Sequence, residues 1–390
     1  MRAVETINIG LIGTGFMGKG HAMAYEMVPK IFRPAPAFPK LVVVGDVTED
    51  LARRGARDFG AEKWVVGWEQ VVADEGVDLV DITTPNNLHK EIALAAAKAG
   101  KHIYCEKPLA LNGRDAKQMY EAAARAGVTT MVGFNYIKNP VALLAKEMIE
   151  AGELGEIYHF RGSFHQDVLA DPNAPFSWRF DRLIAGSGAL GDLGAHVIEF
   201  ARFLVGDFER VCGLAKTFIK ERPLAAGSYG YRSKAISEGS KRTVENEDSI
   251  HFLIEFKDGA TGTIEASRIA MGRKVFMAYE VNGSKGSLHF VHERMNELNV
   301  YLSTDPTGRQ GFKTILAGPE HPYYDSFWPV AGIGLGYEDM KIIEVYELLD
   351  ALANNEPTYP DFKEGWKVCQ VIDAVLLSVE EGRWVSVDEI

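Results

Sequence analysis

Three sets of residues in this sequence are of types that could do chemistry together. The first is Glu106-Lys107-Pro108, which follows the short apolar run His102-Ile103-Tyr104-Cys105. A lysine there lies just past the carboxyl end of a strand, where open parallel sheets meet their ligands. Pro108 lacks a backbone donor and ends the strand, and a cis bond before it would sharpen the turn that aims the lysine. The second set is the glycine-led run Gly186-Ser187-Gly188-Ala189-Leu190-Gly191-Asp192-Leu193-Gly194-Ala195-His196. Asp192 and His196 are four apart, so the spacing predicts one shared helical face, with Asp192 in the dipole-favoured first turn. A carboxylate beside an imidazole holds its tautomer and raises its basicity, so that the ring titrates near neutrality and takes a proton from a hydroxyl. The plain alternative is a helix-surface ion pair of little consequence.

The third set is Gly13-Thr14-Gly15-Phe16-Met17-Gly18, a G-x-G-x-x-G string directly after the apolar run 7–12. A strand that ends in this string and opens a helix is the context a dinucleotide site requires. Gly13 permits the tight turn, Gly15 lets a pyrophosphate approach the backbone, and Gly18 lets helix pack on strand. Phe16 and Met17 open the helix whose amides and dipole face the phosphates. The next strand ends in Asp46, which would accept from the adenosine ribose hydroxyls and repel a 2'-phosphate, favouring NAD over NADP. Its distance from Gly13 is lengthened by a stretch carrying Pro29, Pro34, Pro36 and Pro39; Arg53 and Arg54 leave mixed cofactor use open. A metal site is the weaker option, because only Asp192 and His196 have chelating spacing and nothing compels His165 and Asp167 to join them.

The elements that must position these residues follow from the pattern. The chain has 390 residues, 46% hydrophobic and 25% charged, which suits two soluble domains. A formal net charge of -12 argues against nucleic acid and anionic lipid as partners. Three scattered cysteines, an opening without a signal-peptide pattern and no bilayer-length apolar run point to the cytoplasm. Strands are predicted at 7–12, 41–45, 64–66, 77–82, 102–105 and 129–134, separated by helices, the first fading at Val28. Thr48 and Asn112 are N-cap residues, and Gly60 and Gly127 end the corresponding helices. That is a doubly wound α/β half, residues 1–134. After a helix from Pro140, residues 135–336 turn β-rich, which reads as a second domain on an open, mainly antiparallel sheet. Of two long loops, 220–247 is polar and expected to be disordered, whereas 306–337 carries aromatics expected to pack near the site or an interface. Residues 337–390 return to helix.

The glycine string, Thr84-Pro85-Asn86 with His89, and Glu106-Lys107-Pro108 stand in one order on these elements. In that order they resemble the oxidoreductases named after glucose-fructose oxidoreductase and inositol 2-dehydrogenase. The glycine-led Asp-x-x-x-His run matches the same family at Asp192 and His196. The resemblance implies that Gly13, Gly15, Phe16, Met17, Gly18, Asp46, Thr84, Pro85, Asn86, His89, Glu106 and Lys107 serve the cofactor. It also implies that Lys107 reaches both nicotinamide ribose and substrate, that the terminal helices pack back on the cofactor half, and that the open sheet face is buried in homodimers or homotetramers. The proline-rich insertion, Ser177-Trp178-Arg179-Phe180 and Gly318-Pro319-Glu320-His321-Pro322-Tyr323 are similar to the levoglucosan dehydrogenase branch.

The expected reaction is NAD-dependent oxidation of a secondary ring hydroxyl of a sugar, anhydrosugar or cyclitol to a ketone. His196 would remove the hydroxyl proton, Lys107 would steady the oxygen, and Asp192 would orient His196 and bind a neighbouring hydroxyl. Tyr136, Gln166, Trp178 and Arg179 could line the substrate side, since polar groups with an aromatic platform suit a polyhydroxylated ring. For Trp178 an ordinary core role is an equal alternative. Inositol oxidation, an NAD-dependent glycoside hydrolase with a transient redox step, and a cofactor-binding sensor stay open. The retained Lys107, Asp192 and His196 count against the sensor.

Overall fold

The computed structural model describes residues 6–226, 234–235 and 240–390. Its first half alternates strand and helix: β1 (Thr6–Ile12), α1 (Phe16–Ile31), β2 (Phe38–Asp46), α2 (Glu49–Phe59), β3 (Lys63–Val66), α3 (Glu69–Val72), β4 (Leu79–Ile82), α4 (His89–Lys98), β5 (His102–Cys105), α5 (Gly113–Ala126) and β6 (Thr130–Val132). The six strands form one parallel sheet in the order β3-β2-β1-β4-β5-β6. The order reverses beside β1, so the carboxyl ends of β1 and β4 flank the crevice where open α/β sheets take ligands. Local chemistry sets the helix bounds. The Thr48 hydroxyl accepts from Leu51 N, Asn112 Oδ1 accepts from Asp115 N, and Gly60 and Gly127 adopt the left-handed conformation at the far ends.

Several boundaries differ from the sequence expectation. Helix α1 continues past Val28 through Pro29 to Ile31, because a proline in the last turn forfeits one bond while its neighbours keep theirs. Strand β2 begins at Phe38 and includes Pro39, which faces β1 but lies outside the β3 ladder, so no donor is missed on that side. Strand β6 stops at Val132, and the chain turns into a 3-10 turn at Asn135–Lys138.

The second half contains α6 (Pro140–Glu150), β7 (Ile157–His165), α7 (Arg182–Ala185), α8 (Ala195–Leu204), β8 (Phe208–Lys216), β9 (Glu221–Pro223), β10 (Ala225–Ala226), β11 (Lys234–Ala235) and β12 (Lys241–Thr243). It continues with β13 (Ser249–Phe256), β14 (Thr261–Ser267), β15 (Phe276–Gly283), β16 (Gly286–Val291), β17 (Glu297–Leu302) and β18 (Lys313–Leu316). The chain closes with α9 (Tyr324–Phe327), α10 (Tyr337–Asn354), α11 (Phe362–Glu381) and β19 (Val385–Ser386). Nine of these strands make a mixed sheet, β18-β17-β16-β15-β7-β14-β13-β8-β19, antiparallel except where β14 runs parallel to β7. Helices α6, α8 and α11 cover one face, and Leu214, Leu253 and Tyr158 are exposed on this sheet.

The disorder expected across 220–247 does not hold for its described part. Strands β9 and β12 pair, and the buried Arg222 guanidinium donates to the carbonyls of Leu169 and Asp171. The remainder of that expectation, at 227–233 and 236–239, lies outside the described residues. The aromatics of 306–337 pack on the cofactor half: Tyr323 and Phe327 meet Phe32 edge-on at 6.2 and 5.8 Å. Helix α10 packs against α1, and α11 against α5 and β8. Among the described residues no helix is long and apolar enough to cross a membrane.

Candidate active site

At the cofactor crevice the three glycines do different work. Gly13 has φ +100°, and a Cβ there would strike the Thr83 carbonyl at 2.8 Å. A Cβ on Gly18 would overlap the Gly13 carbonyl, whereas a Cβ on Gly15 would meet nothing within 4 Å. Gly15 therefore leaves bare backbone facing open space at the start of α1, which has no side-chain cap. Asp46 is drawn against this loop, its Oδ2 accepting from Thr14 N at 2.8 Å and Thr14 Oγ1 at 2.6 Å. An uncapped helix start behind an open glycine, with a carboxylate at the end of β2, fits the phosphates and ribose of a dinucleotide.

Beyond β5, the Lys107–Pro108 bond is cis. Lys107 Nζ donates to the Asp192 backbone oxygen at 2.6 Å and to Asp192 Oδ1 at 3.2 Å. Arg179 Nε lies 3.7 Å from the other carboxylate oxygen. Burial pushes the Asp192 carboxyl up, but Lys107 and Arg179 outweigh it and bring it down to about 2. His196 is buried a turn further on, with Tyr136 edge-on at 4.6 Å between ring centres. Its Nδ1 is enclosed without a hydrogen-bond partner. Burial first, then the Lys107 charge, hold the imidazole well below 6.5, against the pull of Glu106 and Asp192.

This corrects two expectations about the Asp192 and His196 pair. The segment Leu190–Gly194 is a π turn leading into α8, so the two residues are not on a regular α-helical face. The turn is set from afar: Glu247 Oε1 accepts from Gly188 N at 2.8 Å and Leu190 N at 2.9 Å. The Asp192 carboxylate then faces two cations rather than the imidazole, so it neither holds the tautomer nor makes the ring titrate near neutrality. A carboxylate gains more from adjacent full charges than from a neutral ring.

Other sequence-selected residues sort by burial. His89 is fully buried and faces two carbonyls, Pro108 O and Thr84 O, each at 3.0 Å, so it braces the two loops. Asn86 Nδ2 donates to Ala185 O at 3.0 Å, and the Thr84 hydroxyl is enclosed without a partner beside Pro85. Glu106 is also turned inward, accepting from His21 Nε2 at 2.9 Å and Lys341 Nζ at 3.1 Å. The side-chain polar atoms of both His89 and Glu106 are thus engaged inside the protein. Phe16 and Met17 open α1 and touch Tyr337, at 6.4 Å between rings and 3.7 Å from hydroxyl to sulfur. Trp178 is half-buried rather than core, with the Arg179 guanidinium 4.4 Å from its ring centre. Gln166, just beyond β7, is tied by its backbone to Ser267 and Ala270, and no described contact joins it to His196. His165 pairs with Glu265 and Asp167 with Lys274, and among the described residues no metal-holding cluster occurs.

Two aromatic neighbours escaped the sequence reading. His292, just past β16, meets Tyr136 edge-on at 4.8 Å between ring centres, with its Nδ1 enclosed and burial pushing its pKa down to about 4. Tyr337, the first residue of α10, lies 5.7 Å from the Tyr136 ring. Neither carries a local motif; only the packing of distant elements brings them here.

Comparisons with known proteins bear out the fold. A model of the oxidoreductase family with NAD-binding Rossmann fold matches residues 7–134, and the GFO/IDH/MocA C-terminal domain matches residues 142–289. The chain is similar to levoglucosan dehydrogenase of Pseudarthrobacter phenanthrenivorans, with 44% identity covering 99% of this chain and 100% of that one. It is 27% identical to myo-inositol 2-dehydrogenase of Thermotoga maritima, covering 98% and 99% of the two chains. A solved levoglucosan dehydrogenase in complex with NADH and levoglucosan superposes with a TM-score of 0.93 at 44% identity, covering 98% of this chain and 100% of that one.

Proposed function

This chain belongs to the GFO/IDH/MocA family of NAD-binding oxidoreductases, and we propose that it oxidises a secondary ring hydroxyl of a levoglucosan-like anhydrosugar to the ketone. The observation that carries this reading is Lys107, bonded to Asp192 at 3.2 Å beyond the carboxyl end of β5, with His196 on the turn that follows. NAD would be held by the amides at Gly15–Gly18 and by Asp46, and when bound it supplies the hydride acceptor. His196, neutral at physiological pH because it is buried beside a lysine, takes the hydroxyl proton at Nε2. Lys107 donates a hydrogen bond to the same oxygen as negative charge develops there. Asp192 holds the ammonium in place and offers an acceptor to a neighbouring hydroxyl. Tyr136, packed edge-on against His196, fixes the ring plane, while Trp178 and Arg179 supply a half-open wall.

On the same reading residues 1–134 bind the cofactor, 135–336 bind substrate, and 337–390 lock the two together. The exposed apolar residues of the nine-stranded sheet serve as a contact between copies of the chain, which light scattering checks. The function is tested by NADH formation, followed in the near ultraviolet, across levoglucosan, myo- and scyllo-inositol, glucose and simple glycosides. Levoglucosan should have the highest kcat/KM. Turnover of an inositol with none of levoglucosan would move the substrate to cyclitols, and cleavage of a glycoside without net NADH would replace the dehydrogenase reading.

A further inference from the structure

Beneath the site lies a buried polar cluster that the mechanism above does not use. His21 from α1 places Nδ1 2.9 Å from Asp81 on β4 and Nε2 2.9 Å from Glu106. Tyr25, one turn along α1, donates to Asp81 at 2.8 Å. From α10, Lys341 reaches Glu106 at 3.1 Å, Glu344 at 2.6 Å and the Tyr104 hydroxyl at 3.0 Å. His21, Asp81, Lys341 and Glu344 are fully buried, and Glu106 is nearly so. Two cations thus face three carboxylates away from water, and a buried ionic set of this kind is a poor source of stability compared with apolar packing. Its geometry has another consequence. Glu106 Oε1 receives His21 and Lys341, while Oε2 accepts from the backbone N–H of Lys107 at 3.2 Å. The carboxylate is pinned on one side by two charged donors and grips the backbone of the reacting lysine with the other.

We propose that Lys341, 235 positions along the chain from Glu106, is a positioning residue that holds Lys107 on Asp192 through the Glu106 carboxylate. Removing its charge frees Glu106 to rotate or to take a proton, and the backbone that aims the Lys107 ammonium loses its tether. A side chain displaced by about 1 Å at a reacting centre costs on the order of 10²-fold in rate. Gly15 and Asp46, which would hold the cofactor's phosphates and ribose, make no bond to Lys341 or Glu106, so the NAD Kd should change little. Both the fully buried ammonium and the C-terminal helix that carries it are thereby parts of the active-site scaffold, not only of the core.

The proposal rests on the dehydrogenase reading, so turnover of a sugar by the wild-type enzyme is established first; its absence would count against that reading alone. Lys341→Gln, Glu106→Gln and the double variant are then compared for kcat, for the NAD Kd by fluorescence quenching and for Tm. Lys341→Gln should lower kcat by roughly 10- to 100-fold with the Kd changed less than about threefold, and the double variant should lose no more than the worse single. A lowered Tm with wild-type kcat would make Lys341 merely structural. Losses that multiply in the double variant would show that it does not act through Glu106. Should Lys341→Gln fail to fold, the same cycle is run with Lys341→Met, which keeps the stem and removes the charge: a kcat loss absent in the Glu106→Gln background supports the proposal, and wild-type kcat or multiplying losses overturn it.

Discussion

Replacing Asp192 with Asn keeps the shape of the side chain and removes the charge that Lys107 and Arg179 share. Burial alone would raise this carboxyl above 3.8, yet the two cations bring it to about 2. A gap of that size corresponds to about 2 kcal/mol of folding stability. The side chain is 27% exposed, so solvent screening is modest. Because the folded value lies below the unfolded one, the contribution is complete above about pH 4 and disappears as pH falls through about 2. Roughly half has gone at about pH 3. Guanidinium denaturation of wild type and Asp192→Asn should therefore differ by about 2 kcal/mol at neutral pH and about 1 kcal/mol near pH 3. The Lys107 ammonium keeps its 2.6 Å bond to the Asp192 backbone oxygen, so the variant stays folded and its kcat loss, on the order of 10²-fold, reports the missing charge. Equal stability at neutral pH, or a gap that fails to shrink in acid, would refute the electrostatic reasoning.

The His196 imidazole is held well below 6.5 by burial and by Lys107, so kcat/KM should stay level down through pH 6.5 and fall only below it as the base protonates. An acid limb at or above 6.5 would contradict the assignment, and His196→Ala should cost about 10²- to 10⁴-fold in kcat. Asp46→Ala removes the acceptor that fixes Thr14 and that is proposed to bind the ribose; kcat/KM with NAD should drop by roughly tenfold or more while the value with NADP falls less. An unchanged NAD to NADP ratio would show that Asp46 does not discriminate.

Much of the fold could be read locally because its signals are local. Thr48 and Asn112 cap helices by bonds three residues long, Gly60 and Gly127 end them in a conformation other residues avoid, and the glycine string needs only its own strand and helix. The same holds for Lys107, whose place at a strand end follows from five or six residues. The β9–β12 pairing in the polar loop was not legible, since it depends on Arg222 being buried among carbonyls about 50 residues earlier.

By itself the sequence determined which residues could do chemistry and on which kind of element each would stand. Which partner each charged group takes was decided only by the tertiary structure. Asp192 turns to Lys107, 85 positions away, rather than to the histidine four residues on. Glu247 shapes the turn that carries Asp192 from 59 positions away, His89 closes on two loops, and Glu106 is claimed by α1 and α10. Tyr136, His292 and Tyr337 meet from three separate elements. The physical reason is common to all of them: a buried charge or ring is satisfied by whichever full charge, carbonyl or face packing brings within about 3 to 5 Å, and packing distance is not encoded in spacing along the chain.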